Sequence, residues 1–195
     1  MSTSIGSTLR SANYYFFELF IFFRLLAFSI SAIAISFLVQ DKVCIVRYNQ
    51  TADFCTNIEA NSHTGAQLHL RDEILSDAAI FNNWKNLVEV TPMVLLSLFV
   101  GSFLDNHPSA TFIVMFINVL GDIYSIAVYL LLVHFFDTSP YLLLTASLYV
   151  WFTGGTMAFS TTAYRYITLT TDEKSRALRF VVLEIIFVIG RSFRP

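Results

Sequence analysis

The sequence predicts an all-α, multi-pass membrane protein with about five transmembrane helices. Of its 195 residues, 55% are hydrophobic and 16% are aromatic, including twenty Phe. Only 13% are charged, whereas an average soluble domain has about 25%. A soluble fold of this length does not hide so much apolar surface. The net charge of -2 and the scattered Lys and Arg residues give no basic stripe, so nucleic acid is not an expected partner.

Five apolar runs predict the membrane spans and a single membrane domain over residues 1–195. A helix needs about 20 mostly apolar residues to cross a hydrocarbon core of about 30 Å. The first run is longer than the hydrophobic part of a signal peptide, which has about 7–15 residues, so we interpret it as a retained span. The fifth run meets Arg191 before it covers a membrane's width, so the chain is expected to stop inside a helix. The predicted spans are residues 14–39, 87–104, 112–136, 141–163 and 178–190.

The basic residues predict which side of the membrane each loop occupies. Lys and Arg are enriched in cytoplasmic loops, and the densest group in this chain is Arg165, Lys174, Arg176 and Arg179. Counting spans backwards from this cytoplasmic segment places the polar insert at residues 40–83 outside. The amino terminus, with Arg10, is then cytoplasmic. Either the plasma membrane or the lysosomal membrane fits this orientation.

The polar insert carries the features of an extracytoplasmic loop. Its triplet Asn49-Gln50-Thr51 is the N-x-T glycosylation acceptor of the chain, and glycosylation at Asn49 requires exposure on that side. Cys44 and Cys55 flank the triplet in the same oxidising space. They could close a small disulfide loop, pair with partners elsewhere, or remain two unpaired thiols. The chain has no Cys or His spacing typical of a metal site, and we predict neither a metal nor a cofactor.

Several ionisable residues lie inside the predicted spans. Such groups are costly in hydrocarbon and are functional hypotheses by default. Glu18 and Arg24 are separated by about 240° around an ideal helix, so they are not expected to pair with each other. Arg24 could snorkel, pair with another helix or balance the charge of a substrate. Glu89 lies near the outer end of the second span, where contact with lipid headgroups is an alternative to a function.

Two acidic residues lie deeper in the predicted spans. Asp122 falls near the middle of the third span, and Glu184 falls within the apolar string VVLEIIF of the fifth. Since burial disfavours the charged form of a carboxyl group, Glu184 is a candidate for proton exchange, and a hydrogen-bonded helix contact is the alternative. Gly154 and Gly155 are expected to permit close helix packing, and direct contact with a substrate is the alternative. No phosphate loop, zinc-binding H-E-x-x-H or G-x-S-x-G elbow occurs, so we predict that the chain is not an enzyme.

The order of these features resembles solute carrier family 46, the proton-coupled folate transporter family of the major facilitator superfamily. The resemblance rests on a first span, a Cys-bracketed external loop with an acceptor Asn, and short motifs that follow. These motifs are Trp84-Lys85-Asn86-Leu87 at the second span, G-S-F-L-D ending at Asp105, Y-L-L-L from Tyr141, T-G-G from Thr153, and S-R-A-L-R-F-V-V-L-E from Ser175 to Glu184.

The resemblance implies the amino-terminal half, or part of it, of a twelve-helix carrier that moves protons and organic anions such as folates. Family positions then give Glu184 a proton-coupling role and Asp105 a gating role, and place Asn49 in the glycosylated loop. Asp122 and Arg24 are assigned to the substrate cavity from their membrane depth alone. The implied partners are membrane lipid, protons, a small organic anion and the missing second half.

This sequence departs from the family in two places. Asn106 to Ala110 replace the Gly and the basic residues that follow Asp105 in the gating turn, and Thr168 stands where the family often has an aspartate. The loss of the gating turn favours an alternative, a non-transporting membrane protein that binds or regulates a full-length relative, whereas the presence of Glu184 favours the carrier.

Overall fold

A computed structural model describes the backbone of residues 2–58 and 65–192 and the side chains of residues 15–58, 65 and 67–189. Almost all of these residues are helical and none is in a strand, which confirms the all-α class. The α-helices are α1 (Ser2–Lys42), α2 (Ala52–Thr56), α3 (Gly65–Asn106), α4 (Ala110–His134), α5 (Val150–Thr153), α6 (Gly155–Thr170) and α7 (Glu173–Ser192). A π-helical turn over Val43–Arg47 follows α1, and a 3-10 helix over Pro140–Tyr149 precedes α5.

Four helical segments in the described part of the chain are long and apolar enough to cross a membrane. They are Tyr15–Arg47, Gln67–Asn106, Ala110–His134 and Pro140–Thr170. In the first three, only 11–17% of the most apolar window is buried within the chain. Most of their apolar side chains therefore face outward, as expected for helices surrounded by lipid tails. The protein is an integral, multi-pass membrane protein.

The second span differs from its predicted bounds. Helix α3 begins at Gly65, so residues 65–83, predicted as loop, are helical. His69, Arg71 and Asp72 lower the hydropathy of this stretch without interrupting the helix, because a helix satisfies its own backbone hydrogen bonds in water as well as in lipid. Residues 59–64 of the predicted loop lie outside the described residues, as does the side chain of Arg10.

The fifth predicted span, residues 178–190, lies in α7, which is helical over Glu173–Ser192. This helix is not among the four candidate spans of the described residues. Charged residues occupy its first two turns and Glu184 lies near its middle, so its apolar stretch is short.

The chain divides into two compact units, residues 1–34 with 171–195 and residues 35–170. In the first unit, α1 buries Phe17, Ile21 and Leu25, while α7 buries Leu183 and Phe187. Each set repeats every fourth residue, the spacing of one helix face. The second unit has its own apolar core, which includes Val39, Val43, Cys44, Cys55, Ile58, Ile74, Phe81, Leu132 and Leu143.

Candidate functional site

The fourth span is broken where two glycines separate α5 from α6. Gly154 and Gly155 adopt φ angles of 72° and 54°, in the left-handed region that favours glycine. The break leaves α6 with a new amino terminus inside the membrane-spanning segment. Its first amide, of Gly155, donates to Thr153 Oγ1 at 3.2 Å, so a side chain replaces the continuous helical hydrogen bond.

The break also brings neighbouring helices into close contact. A Cβ atom added to Gly154 would lie 2.7 Å from Ala158 Cβ and 3.3 Å from Leu96 Cβ of α3. A Cβ added to Gly121 of α4 would meet the ring of Tyr149. The glycines at this crossing are therefore used for close packing, as the sequence led us to expect.

Asn118 of α4 joins the third span to this break. Its Nδ2 donates to Val114 O at 3.0 Å and to Thr153 O at 3.2 Å. The residue is only 1% exposed, and its Oδ1 accepts no hydrogen bond from the described residues. The carbonyl of Thr153, at the break, thus accepts a hydrogen bond from Asn118, which lies one turn before Asp122 in α4.

A second polar group joins α3 to the 3-10 helix. Ser147 donates to Glu89 Oε1 at 2.6 Å, and Lys85 Nζ lies 2.9 Å from the same oxygen. Tyr129 of α4 lies near both Ser147 and Glu89. Glu89 is therefore enclosed by protein groups from three helical segments, and contact with lipid headgroups is not its main interaction.

Asp105, the predicted gating residue, ends α3 and forms an ion pair. Arg165 Nη1 of α6 lies 3.1 Å from Asp105 Oδ1, with the side chains 28% and 70% exposed. A pair this exposed contributes about 0–1 kcal/mol of stability. Arg165 of α6 is thus the cationic partner of Asp105, and this pairing was not predicted from the sequence.

In the smaller unit, which comprises residues 1–34 and 171–195, Glu18 pairs with Arg179 rather than with Arg24. Arg179 Nε donates to Glu18 Oε1 at 3.0 Å, and the side chains are 9% and 15% exposed for Arg179 and Glu18. Arg179 Nη1 also donates to Thr171 Oγ1. This network connects α1 to the beginning of α7.

The remaining predicted residues are Glu184, Arg24 and Asp122. Glu184 is exposed on α7 beside Val181, Ile185 and Val188, rather than buried within the chain. Arg24 on α1 and Asp122 on α4 are half-buried.

The insert between α1 and α3 is closed by a disulfide between Cys44 and Cys55, one of the arrangements that the sequence left open. Asn49 is exposed inside this loop and has a φ of 51°, a left-handed conformation in which Asn is several-fold enriched. The backbone amide of Gln50 donates to Cys44 O at 3.3 Å. The loop therefore holds the acceptor Asn at the surface.

A short polar network ties this loop to α3. Tyr48 donates to Asp77 Oδ2 at 2.7 Å, and Arg47 Nη2 lies 3.2 Å from the same oxygen. Burial, together with the hydrogen bond and negative charge of Asp77, raises the pKa of Tyr48 to about 12. Tyr48 is therefore a protonated donor throughout the physiological range.

This network predicts a loss of stability at high pH. An unfolded tyrosine ionises near pH 10, whereas the pKa of Tyr48 in the folded chain is about 12. Because the folded pKa is the higher one, the stabilisation is complete below pH 10. It is lost as the pH rises to about 12. We expect the melting temperature of the detergent-solubilised chain to fall over this interval, and to fall less in Tyr48→Phe.

Tyr15→Phe is the matched control, because Tyr15 is 70% exposed and its replacement should leave the wild-type profile unchanged. Identical alkaline profiles for the wild type and Tyr48→Phe would exclude the proposed contribution of Tyr48.

Sequence reasoning missed Lys85, Asn118 and Ser147. The i,i+4 spacing of Lys85 and Glu89 is a readable signal for an ion pair. The single polar Asn118 within an apolar run is a second readable signal. Ser147 lies among small and apolar residues and gives no signal of its own.

No family model, curated protein or solved structure matches this chain. Within the described residues, no three His, Cys, Asp or Glu side chains are grouped to hold a metal ion.

Proposed function

We propose that this chain is the amino-terminal part of a proton-coupled carrier of organic anions, folate-like or related, of the major facilitator type. The observation that carries the proposal is the break at Gly154 and Gly155, which packs against α3 and is bonded to Asn118. Discontinuous membrane helices, with backbone groups released near the midplane, are typical of the binding sites of secondary transporters.

The charged side chains of the spans support the same proposal. Ionisable groups inside membranes often mark paths for ions and substrates. Within the second unit, Lys85 and Glu89 form an ion pair on one face of α3, and the Asp105 and Arg165 ion pair lies at the cytoplasmic end in our orientation. In this proposal Asp105 contributes to gating, and Asp122 and Arg24 contribute charge to the substrate path.

Glu184 is the proposed proton carrier of the transport cycle. Its carboxyl group stands among exposed apolar side chains of α7. Acidic side chains within the spans of pumps and transporters commonly serve as proton relays.

The alternative, a protein that regulates a full-length relative, is favoured by the absence of basic residues from Asn106 to Ala110. The ion pair of Asp105 with Arg165 favours the carrier, since the aspartate retains a cationic partner.

Replacement of Glu184 tests the carrier. In cells that express the gene encoding this chain, we expect radiolabelled folate uptake to rise in acid. In Glu184→Gln, matched for surface level, the acid stimulation should disappear because the residue can no longer exchange a proton. Glu173→Gln, an exposed acidic residue in the first turn of α7, is the control. Acid stimulation that persists in Glu184→Gln would remove Glu184 from this role.

The orientation is a separate proposal: a cytoplasmic amino terminus and an external insert, in the plasma membrane or the lysosome. We expect Asn49→Gln to migrate faster on gels and to resist glycosidase, because the native loop carries a glycan. Asn83→Gln, which alters an Asn outside any acceptor triplet, should migrate like the wild type. A native chain that is insensitive to glycosidase would argue against an external insert.

A further inference from the structure

The turn of α3 that holds Lys85 and Glu89 places a full positive and a full negative charge among membrane-spanning helices. Lys85 Nζ lies 2.9 Å from Glu89 Oε1, and the two side chains are 14% and 20% exposed. Ser147, only 1% exposed, donates to the same oxygen at 2.6 Å. One carboxylate oxygen therefore receives two hydrogen bonds, one from its own helix and one from the broken fourth span.

Stability does not explain this arrangement. An i,i+4 ion pair on an exposed helix contributes about 0.2–0.5 kcal/mol. When charges are removed from water, the desolvation penalty can exceed their attraction, and apolar replacements are often as stable. Ionisable groups retained in a membrane are therefore better explained by a function.

The balance of charge at this turn suggests the function. The ion pair of Lys85 and Glu89 has no net charge. Protonation of Glu89 would leave the ammonium of Lys85 without its counter-ion, and an anion would then be needed. Besides Lys85, Tyr129 of α4 is a titratable group near Glu89, and Tyr149 of the 3-10 helix lies near Tyr129. Both phenols can donate hydrogen bonds to a bound oxyanion.

We propose that Lys85 is the docking site for a carboxylate of the transported anion and that a proton on Glu89 opens this site. The proposal rests on the anion-carrier function given above. In the closed state Glu89 is a carboxylate paired with the Lys85 ammonium. In the open state the proton resides on Glu89. The substrate carboxylate then takes the place of the Glu89 carboxylate at Lys85 Nζ. The site is neutral in both states, so one proton and one carboxylate bind together at this step, and Glu184 keeps its proposed role in the later steps of transport.

Binding of radiolabelled folate to the purified 195-residue chain in lipid nanodiscs tests this exchange. We expect the wild type to bind more tightly at mildly acidic than at mildly alkaline pH, by on the order of 5–150-fold, the usual range for coupled sites. Glu89→Gln should bind with the acidic affinity at both pH values, because its neutral side chain leaves Lys85 open. Lys85→Met should bind weakly at both.

Two further variants control for folding. Lys85→Arg keeps the cation and should keep the binding that Lys85→Met loses. Asp72→Asn, whose side chain is 61% exposed, should behave like the wild type.

The outcomes separate the two proposals. If the chain binds folate but Glu89→Gln keeps the wild-type pH dependence, or Lys85→Met binds undiminished, the exchange is refuted and the carrier proposal is not. If the wild type binds no folate at either pH, the folate-like substrate class is refuted, and the exchange is refuted with it.

Discussion

Arg179→Met is expected to lower the free energy of unfolding by about 3–5 kcal/mol, the usual loss when one partner of a buried ion pair is removed. Arg179 and Glu18 are 9% and 15% exposed and lie 3.0 Å apart. The variant would leave the Glu18 carboxylate enclosed without this cation and would also remove the donor to Thr171. The measurement is chemical denaturation of the detergent-solubilised chain.

A double variant distinguishes charge from packing. Glu18→Gln combined with Arg179→Met removes both charges, and we expect it to recover much of the loss, because an apolar or neutral pair is often as stable as the ion pair. Lys174→Met, an exposed position on the same helix, is the control. An Arg179→Met variant as stable as Lys174→Met would show that the pair does not stabilise the smaller unit.

Lys42→Met is expected to lower the free energy of unfolding of the larger unit by on the order of 3 kcal/mol, given about 1.5–3 kcal/mol for each hydrogen bond to a charged group. Lys42 is 0% exposed. Its Nζ donates to Phe136 O and Thr138 Oγ1, each at 3.0 Å, and lies 3.3 Å from Phe135 O. These acceptors follow the end of α4, where helix carbonyls lack partners and a cation is favourable.

Gln40→Met provides the comparison, since it introduces the same side chain two residues earlier at a half-buried position. The melting temperature in detergent should fall clearly more in Lys42→Met. Equal melting temperatures would mean that water replaces the ammonium at these carbonyls without loss.

The sequence predicts the fold class well because hydropathy and length decide it. The third span, predicted at residues 112–136, is helical over Ala110–His134, since nothing polar enough interrupts that run. Helix α3 extends beyond the second predicted span to Gly65, because hydropathy reports the apolar part of this helix and not its polar extension. The thickness of the membrane sets the length of the apolar run that crosses it. A helix can extend beyond that run into water.

The pairing of charges was not predictable in the same way. Glu18 could be excluded as a partner of Arg24 from helix geometry, but its actual partner, Arg179, is 161 residues away. Asp105 and Arg165 are likewise joined only by the packing of α3 on α6. Lys85 and Glu89 share one helix face, so their contact was readable from spacing, while the contribution of Ser147 was not.

The break in the fourth span has one feature that was predictable from the sequence and others that were not. The dipeptide Gly154-Gly155 suggested close packing, and the structure has that packing against Leu96 and Met93. The left-handed conformation of both glycines and the hydrogen bond from Asn118 depend on neighbouring helices. These contacts turn a packing motif into a candidate transport element.

Proton uptake during anion binding tests the central claim most directly. Calorimetry of folate binding to the nanodisc-embedded chain, in two buffers of different ionisation enthalpy at neutral pH, gives the number of protons taken up per anion. The proposed coupling predicts an uptake of about one proton per folate bound, because binding and protonation are linked. Binding without net proton uptake would contradict proton coupling, and the absence of folate binding would contradict the substrate class.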